Sequence, residues 1–99
     1  MSAVTIRATL AARPVSETNG RDARVHLLLH VPGCATSVLA TVRYTGLGAD
    51  GFALRDAKRM RAGDEVTVYC AGFGHDATGR QRLFGVDHLL HHIREQVAA

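Results

Sequence analysis

The chain has 99 residues, 46% hydrophobic and 21% charged, which bounds it to one domain and excludes a disordered or fibrous chain. No apolar run approaches the roughly 20 residues that cross a bilayer, and residues 1 to 10 lack a charged segment followed by an unbroken apolar run, so the expectation is a cytoplasmic protein. Twelve basic residues against nine acidic give a net charge of +3, a mild bias that suits an anionic partner without requiring one.

Period-two alternation dominates the chain. Val4, Ile6, Ala8 and Leu10 alternate with Thr5, Arg7 and Thr9 in a first strand that runs to about Ala12 and ends before Pro14. Ser16 to Asp22, with Asn19-Gly20, reads as a turn leading into a hairpin, because Asn and Gly tolerate positive φ. The second strand has Val25, Leu27, Leu29 and Val31 on one face and Arg24, His26, Leu28 and His30 on the other; Pro32-Gly33 closes it. Val38, Ala40, Val42 and Tyr44 make the third. From Phe52 to Arg61 the apolar spacing turns helical, with Asp50 placed to cap the start and Gly63 to stop the end. Val66, Val68 and Cys70 mark a fourth strand, Gly72 to Gly79 a loop, and Arg80 to about Leu90 a fifth strand. His91 to Ala99 reads as a helical turn or a frayed tail, leaving an ordered core over residues 3–92.

An all-β chain of five strands with a short helix between the third and fourth is the order of an OB-fold, a five-stranded Greek-key barrel, although spacing alone also permits another small barrel. Four stretches then carry a family resemblance. They are Leu10-Ala11-Ala12-Arg13-Pro14 leading to Asn19-Gly20, Tyr44-Thr45-Gly46, Ala62-Gly63-Asp64-Glu65-Val66-Thr67-Val68, and Phe84-Gly85-Val86-Asp87-His88-Leu89. In this order and spacing the chain resembles the bacterial single-stranded DNA-binding protein family, and within it the tail-less primosomal branch. The resemblance implies an OB-fold that binds single-stranded DNA in replication or replication restart, with replication proteins as partners and no cofactor. It departs from the family in three places. No tryptophan stands on the third strand, where Ser37 to Leu39 lie; the loop after the second strand shrinks to Pro32 to Ala35; and the sequence stops at Ala99 without an acidic tail.

Single strands are held by cations that follow phosphates and by aromatic faces that stack on bases. Arg24, His26 and His30 on the second strand, Arg43 on the third, and Arg80 and Arg82 at the base of the last hairpin are the cations that one side of a barrel can gather; Arg82 best matches a basic site of the resembled family. Tyr69, out of phase with Val66-Val68-Cys70, and Phe73, in a glycine-bounded loop, are the candidate stacking residues. Tyr44 and Phe84 read as core or subunit contact, and Phe52 as the anchor of the helix. Arg55, Lys58, Arg59 and Arg61 form the densest basic patch, which suits phosphate, an acidic partner surface or plain solvation. Leu28, Leu39 and Leu90 fall on faces that a lone barrel exposes, which points to a homodimer or homotetramer.

His88, His91, His92 and Glu95 have helical spacing for a metal site, but no recognised ligand pattern accompanies them, and no metal is expected. Cys34 and Cys70, 36 residues apart with no Cys-x-x-Cys, fit a reduced compartment. No nucleophile or phosphate-loop motif occurs, so the expectation is a non-catalytic protein. The alternative is an OB-fold adaptor that docks proteins and binds DNA weakly or not at all.

Overall fold

The computed structural model describes residues 4–19 and 21–92. In chain order the elements are β1 (Val4–Leu10), β2 (Val15–Asn19), β3 (Asp22–His30), β4 (Val38–Thr45), α1 (Ala49–Arg59), β5 (Glu65–Cys70), β6 (Gly72–His75), β7 (Gln81–Phe84) and β8 (His88–His92). Among the described residues the fold is therefore mostly β with one short helix. Its strands form one sheet in the order β6-β7-β4-β3-β1-β5-β8, with β2 paired to β3 beside β1. Neighbours are antiparallel except β4 and β7, which run parallel.

Alternation decides which side each residue takes, because successive side chains in a strand point to opposite faces. Across β3 and β4 the register pairs Val25 with Val42, Leu27 with Ala40 and Leu29 with Val38, and all six are buried. The intervening pairs, Arg24 with Arg43, His26 with Thr41 and Leu28 with Leu39, share the opposite face. Ala8 and Leu10 of β1 and Val66, Val68 and Cys70 of β5 complete the core. Helix α1 closes it with Ala49, Ala53, Ala57 and, just past its end, Met60. The three alanines let the helix backbone approach the sheet closely, where a larger side chain would be overpacked.

Five long strands were expected, and eight shorter ones are found among the described residues. The first strand stops at Leu10, and the polar stretch read as a turn is itself β2: Val15 to Asn19 pair with His26 to Asp22 in a tight hairpin. An edge strand with one solvated side needs little apolar content, so Ser16, Glu17 and Thr18 suffice. The glycine-bounded stretch read as a loop is β6, paired with β7 from Gly72–Phe84 to His75–Gln81. The fifth strand breaks at Gly85, whose φ is +60°. Its second half, β8, extends through His92 along β5, so His91 and His92 are strand residues and not a helical turn. Residues 93–99, with Glu95, lie outside the described residues.

The helix also begins earlier than its apolar spacing implied. Gly48, left-handed at φ 80°, precedes it without any side-chain cap; Asp50 sits in the first turn instead, where a carboxylate favours the helix dipole. Gly63 does not end it. The chain leaves the helix at extended Met60, and Gly63 serves the Arg61–Asp64 turn, with φ +91°.

Candidate nucleic-acid interface

The outward face of β3, β4 and β7 is where most of the predicted cations meet. Arg24 and Arg43 are cross-strand partners, His26 lies opposite Thr41, and Leu39 is in parallel register with Arg82. Arg82 also pairs with Gly74, whose missing side chain leaves room for the Phe84 ring beside it: a Cβ on Gly74 would lie 3.3 Å from Phe84 Cε2. Of the two places expected for Phe84, core or subunit contact, the core is excluded: it is 40% exposed, because it shares the face of Arg82 while Leu83 between them turns inward.

A hydrogen-bonded chain crosses this face. Glu17 Oε2 lies 2.8 Å from His26 Nε2, His26 Nδ1 lies 3.1 Å from Thr41 Oγ1, Arg82 Nη1 donates to the same Oγ1 at 3.3 Å, and Arg82 Nε donates to Asp76 Oδ2 at 3.5 Å. Because a carboxylate only accepts, Nε2 of His26 carries the proton toward Glu17. Asp76 also caps the β6–β7 turn, accepting from the Thr78 hydroxyl and from the backbone N–H groups of Thr78 and Arg80. Those bonds, the Thr78 hydroxyl first, pull its carboxyl down to about 2.

The predicted cations differ in how free they are. Arg43 donates from Nε and Nη2 to both oxygens of Asp22 at 3.0 and 3.1 Å, which holds Asp22 below its ordinary range and Arg43 above its own. Arg82 is shared between Thr41 and Asp76. Among the described residues Arg24 and Arg80 make no ion pair. Arg80 Nη2 donates to Ser37 Oγ at 3.3 Å across an open groove of about 650 Å³, lined also by Thr36, His75, Thr78, Gly79 and Gln81. The groove separates the β3–β4 connection from the β6–β7 turn, and a guanidinium beside hydroxyls suits a phosphate.

No family model, curated protein or solved structure matches this chain.

The remaining candidates stand elsewhere. Tyr69 is outward on β5, separated from β4 by β1 and β3, and stacks on His88 with centroids 5.8 Å apart; it does not join the arginine face. Phe73 is 40% exposed, but its partner is inward Leu83, so it lies on the other side of the β6–β7 ribbon from Phe84. His30 is exposed at the far end of β3, beside Arg7, Thr9 and Glu65. Arg55 and Arg59 are on α1, which packs on the core side of the sheet. Leu28 and Leu39 are half-buried against each other, and only Leu90 of the three leucines is prominently exposed.

His88, His91 and His92 follow β8, so alternate residues part to opposite faces. His91 Nε2 donates to Asp64 Oδ2 at 2.9 Å, whereas His92 pairs with the Thr67 hydroxyl at 2.8 Å. Among the described residues no three potential metal ligands converge, and no helix is long and apolar enough to cross a membrane.

Sequence reasoning missed Thr41, Asp76, Ser37 and Phe84, and it missed the acids Glu17 and Asp22 that neutralise the face. The Asp76-Ala77-Thr78-Gly79 run is a turn signature that could have placed Asp76 at the tip of a hairpin.

Proposed function

We propose that this chain is a non-catalytic, cytoplasmic OB-fold protein that binds single-stranded DNA in replication or replication restart, as a homodimer or homotetramer with replication proteins as partners. Support for the barrel comes from the joints between short strands. Only Ala71 separates β5 from β6, and its N–H lies 2.8 Å from Phe84 O and 3.1 Å from Gly85 O. A bent β5–β6 strand thus runs beside a bent β7–β8 strand, while β1 and β2 line the same edge of β3 in succession. Five bent strands, with β4 and β7 parallel and a helix before β5, fit the OB order.

The single observation that carries the DNA reading is the β6–β7 hairpin. It sets Arg80 on a hydroxyl-lined groove, Arg82 on the adjoining sheet face, and half-exposed Phe84 on that same face, so phosphate contacts and a ring face occur together. Anisotropy of a labelled oligothymidine of about 35 nucleotides tests it. Binding to the single strand over duplex, weakening steeply with salt because counterions are released, is the expected outcome. Salt-independent binding would sink the proposal.

One observation favours an adaptor instead: Arg43 and Arg82 are already paired with Asp22 and Asp76. Recovery of a specific protein after nuclease treatment, together with no oligothymidine binding at low salt, would support that reading.

A further inference from the structure

We infer that the solvent face of α1 is a docking site for an acidic, apolar-bearing segment of a partner protein, separate from the arginine face of β3, β4 and β7. Ala49, Ala53, Ala57 and Met60 are buried in the same core as the inward residues of β3 and β4. Arg24, Thr41 and Arg43 have the opposite parity on those strands, so the sheet stands between the two surfaces.

The ridge is cationic; Asp50 is exposed in the first turn of the helix, and the two carboxylates nearest the cations, Asp56 and Asp64, are engaged elsewhere. Arg55 and Arg59 are one turn apart, with Lys58 beside them and Arg61 just beyond the helix. Asp56 accepts from the Tyr44 hydroxyl at 2.7 Å, and Asp64 accepts from the Arg61 backbone N–H at 3.0 Å and from His91. Among the described residues Lys58, Arg59 and Arg61 make no side-chain ion pair, and Arg55 reaches only Asp56, at 3.7 Å.

Apolar surface accompanies the charge. Leu47 is 84% exposed and Phe52 and Leu54 nearly half. At the end of the ridge a cavity of about 210 Å³ opens between Arg59, Tyr44, Asp56 and His91 over Met60 and Leu89, a seat with an apolar floor and polar walls that carry the Asp56 carboxylate as well as the Arg59 guanidinium. Charge complementarity calls for acids, and the seat and exposed leucines call for apolar side chains between them. Nucleic acid suits the ridge poorly: the Arg55 guanidinium lies 5.0 Å from the centre of the Phe52 ring, covering the aromatic face that a base would need.

The test uses the full chain and three labelled synthetic peptides of about 20 residues: one with Asp and Glu plus Leu and Phe at helical spacing, one with Lys replacing the acids, and one acidic without apolar residues. Saturable binding of the first alone, undisturbed by saturating oligothymidine, is expected. Arg55→Glu with Arg59→Glu should weaken it at least tenfold, and the milder Arg55→Gln with Arg59→Gln severalfold, with unchanged melting; Arg24→Ala with Arg80→Ala should not. Equal binding of the wholly acidic peptide, or none of the first at low salt, would overturn the inference. So would displacement by oligothymidine together with a matching loss of oligothymidine affinity in the glutamate variant, which would assign the ridge to the DNA path. These readouts stand even if the other face binds no DNA.

Discussion

Gly85 crosses Ala71 so closely that a Cβ on the glycine would lie 2.8 Å from the Ala71 Cβ. Gly85 also has φ +60°, so two independent reasons exclude a side chain where β7 bends into β8. Gly85→Ala should destabilise by about 1–3 kcal/mol in urea denaturation. Ala71→Gly in the same chain should recover the steric part and leave the backbone strain. Full recovery would mean that φ contributes nothing, and no loss in the single variant would mean that the crossing is looser than the geometry requires.

The contrast between free and paired arginines gives a second prediction. Arg80→Ala should weaken oligothymidine binding and reduce the salt slope by about 0.7, the share of one phosphate contact. Asp22→Asn should act in the opposite sense, raising affinity a few-fold, because it frees the Arg43 guanidinium. Anisotropy titrations at several salt concentrations read both. An Asp22→Asn variant that binds more weakly would place Arg43 outside the DNA path.

Acid should loosen the β6–β7 turn late. The Asp76 carboxyl is held at about 2 in the fold against about 3.9 in an unfolded chain. A lowered folded pKa means that the unfolded state binds the proton first, so its stabilising effect is complete well above pH 4 and fades as pH falls toward 2. The amide signals of Thr78 and Arg80, which donate to Asp76, should titrate in that window by NMR, and Asp76→Asn should abolish the transition. Midpoints near 4 would show that the capping bonds do not hold in solution.

How much could be read in advance depended on where a residue's fate is local. The alternation of Val25-Leu27-Leu29 and Val38-Ala40-Val42 fixed the two central strands and their inward faces, since burial of one face enforces register. The joints were less legible. Nothing in Ala71 or Gly85 alone announces a crossing, and β2, polar and short, carries no apolar stripe because it borrows its order from β3. The site divided along the same line. Parity puts Arg24 on the outward face of its strand, and position at the base of the last hairpin points to Arg82, but the acid partners of Arg43 and Arg82 arrive through pairing: Asp22 lies beside Arg43 only because β3 and β4 meet in one register, and Asp76 reaches Arg82 only around the hairpin. Tyr69 is out of phase with the buried Val66, Val68 and Cys70, but strand order carries it away from the arginines, and order is what a period of two cannot encode.

The helix supplies the last test, because its contact with the sheet is made almost wholly by alanines. Ala53 has no exposed surface, and it sits between Ala49 and Ala57 at one-turn spacing, so the helix approaches to the distance that a methyl group permits. Ala53→Leu must push α1 outward or force neighbours off their rotamers, and should cost about 1–3 kcal/mol. Lys58→Ala, on the opposite side of the same helix, should change stability by less than about 0.5 kcal/mol. Urea midpoints of the two variants separate packing from helix propensity. Both substitutions keep a good helix former, so a loss confined to Ala53→Leu would come from the closeness of helix and sheet, and equal losses would refute that packing.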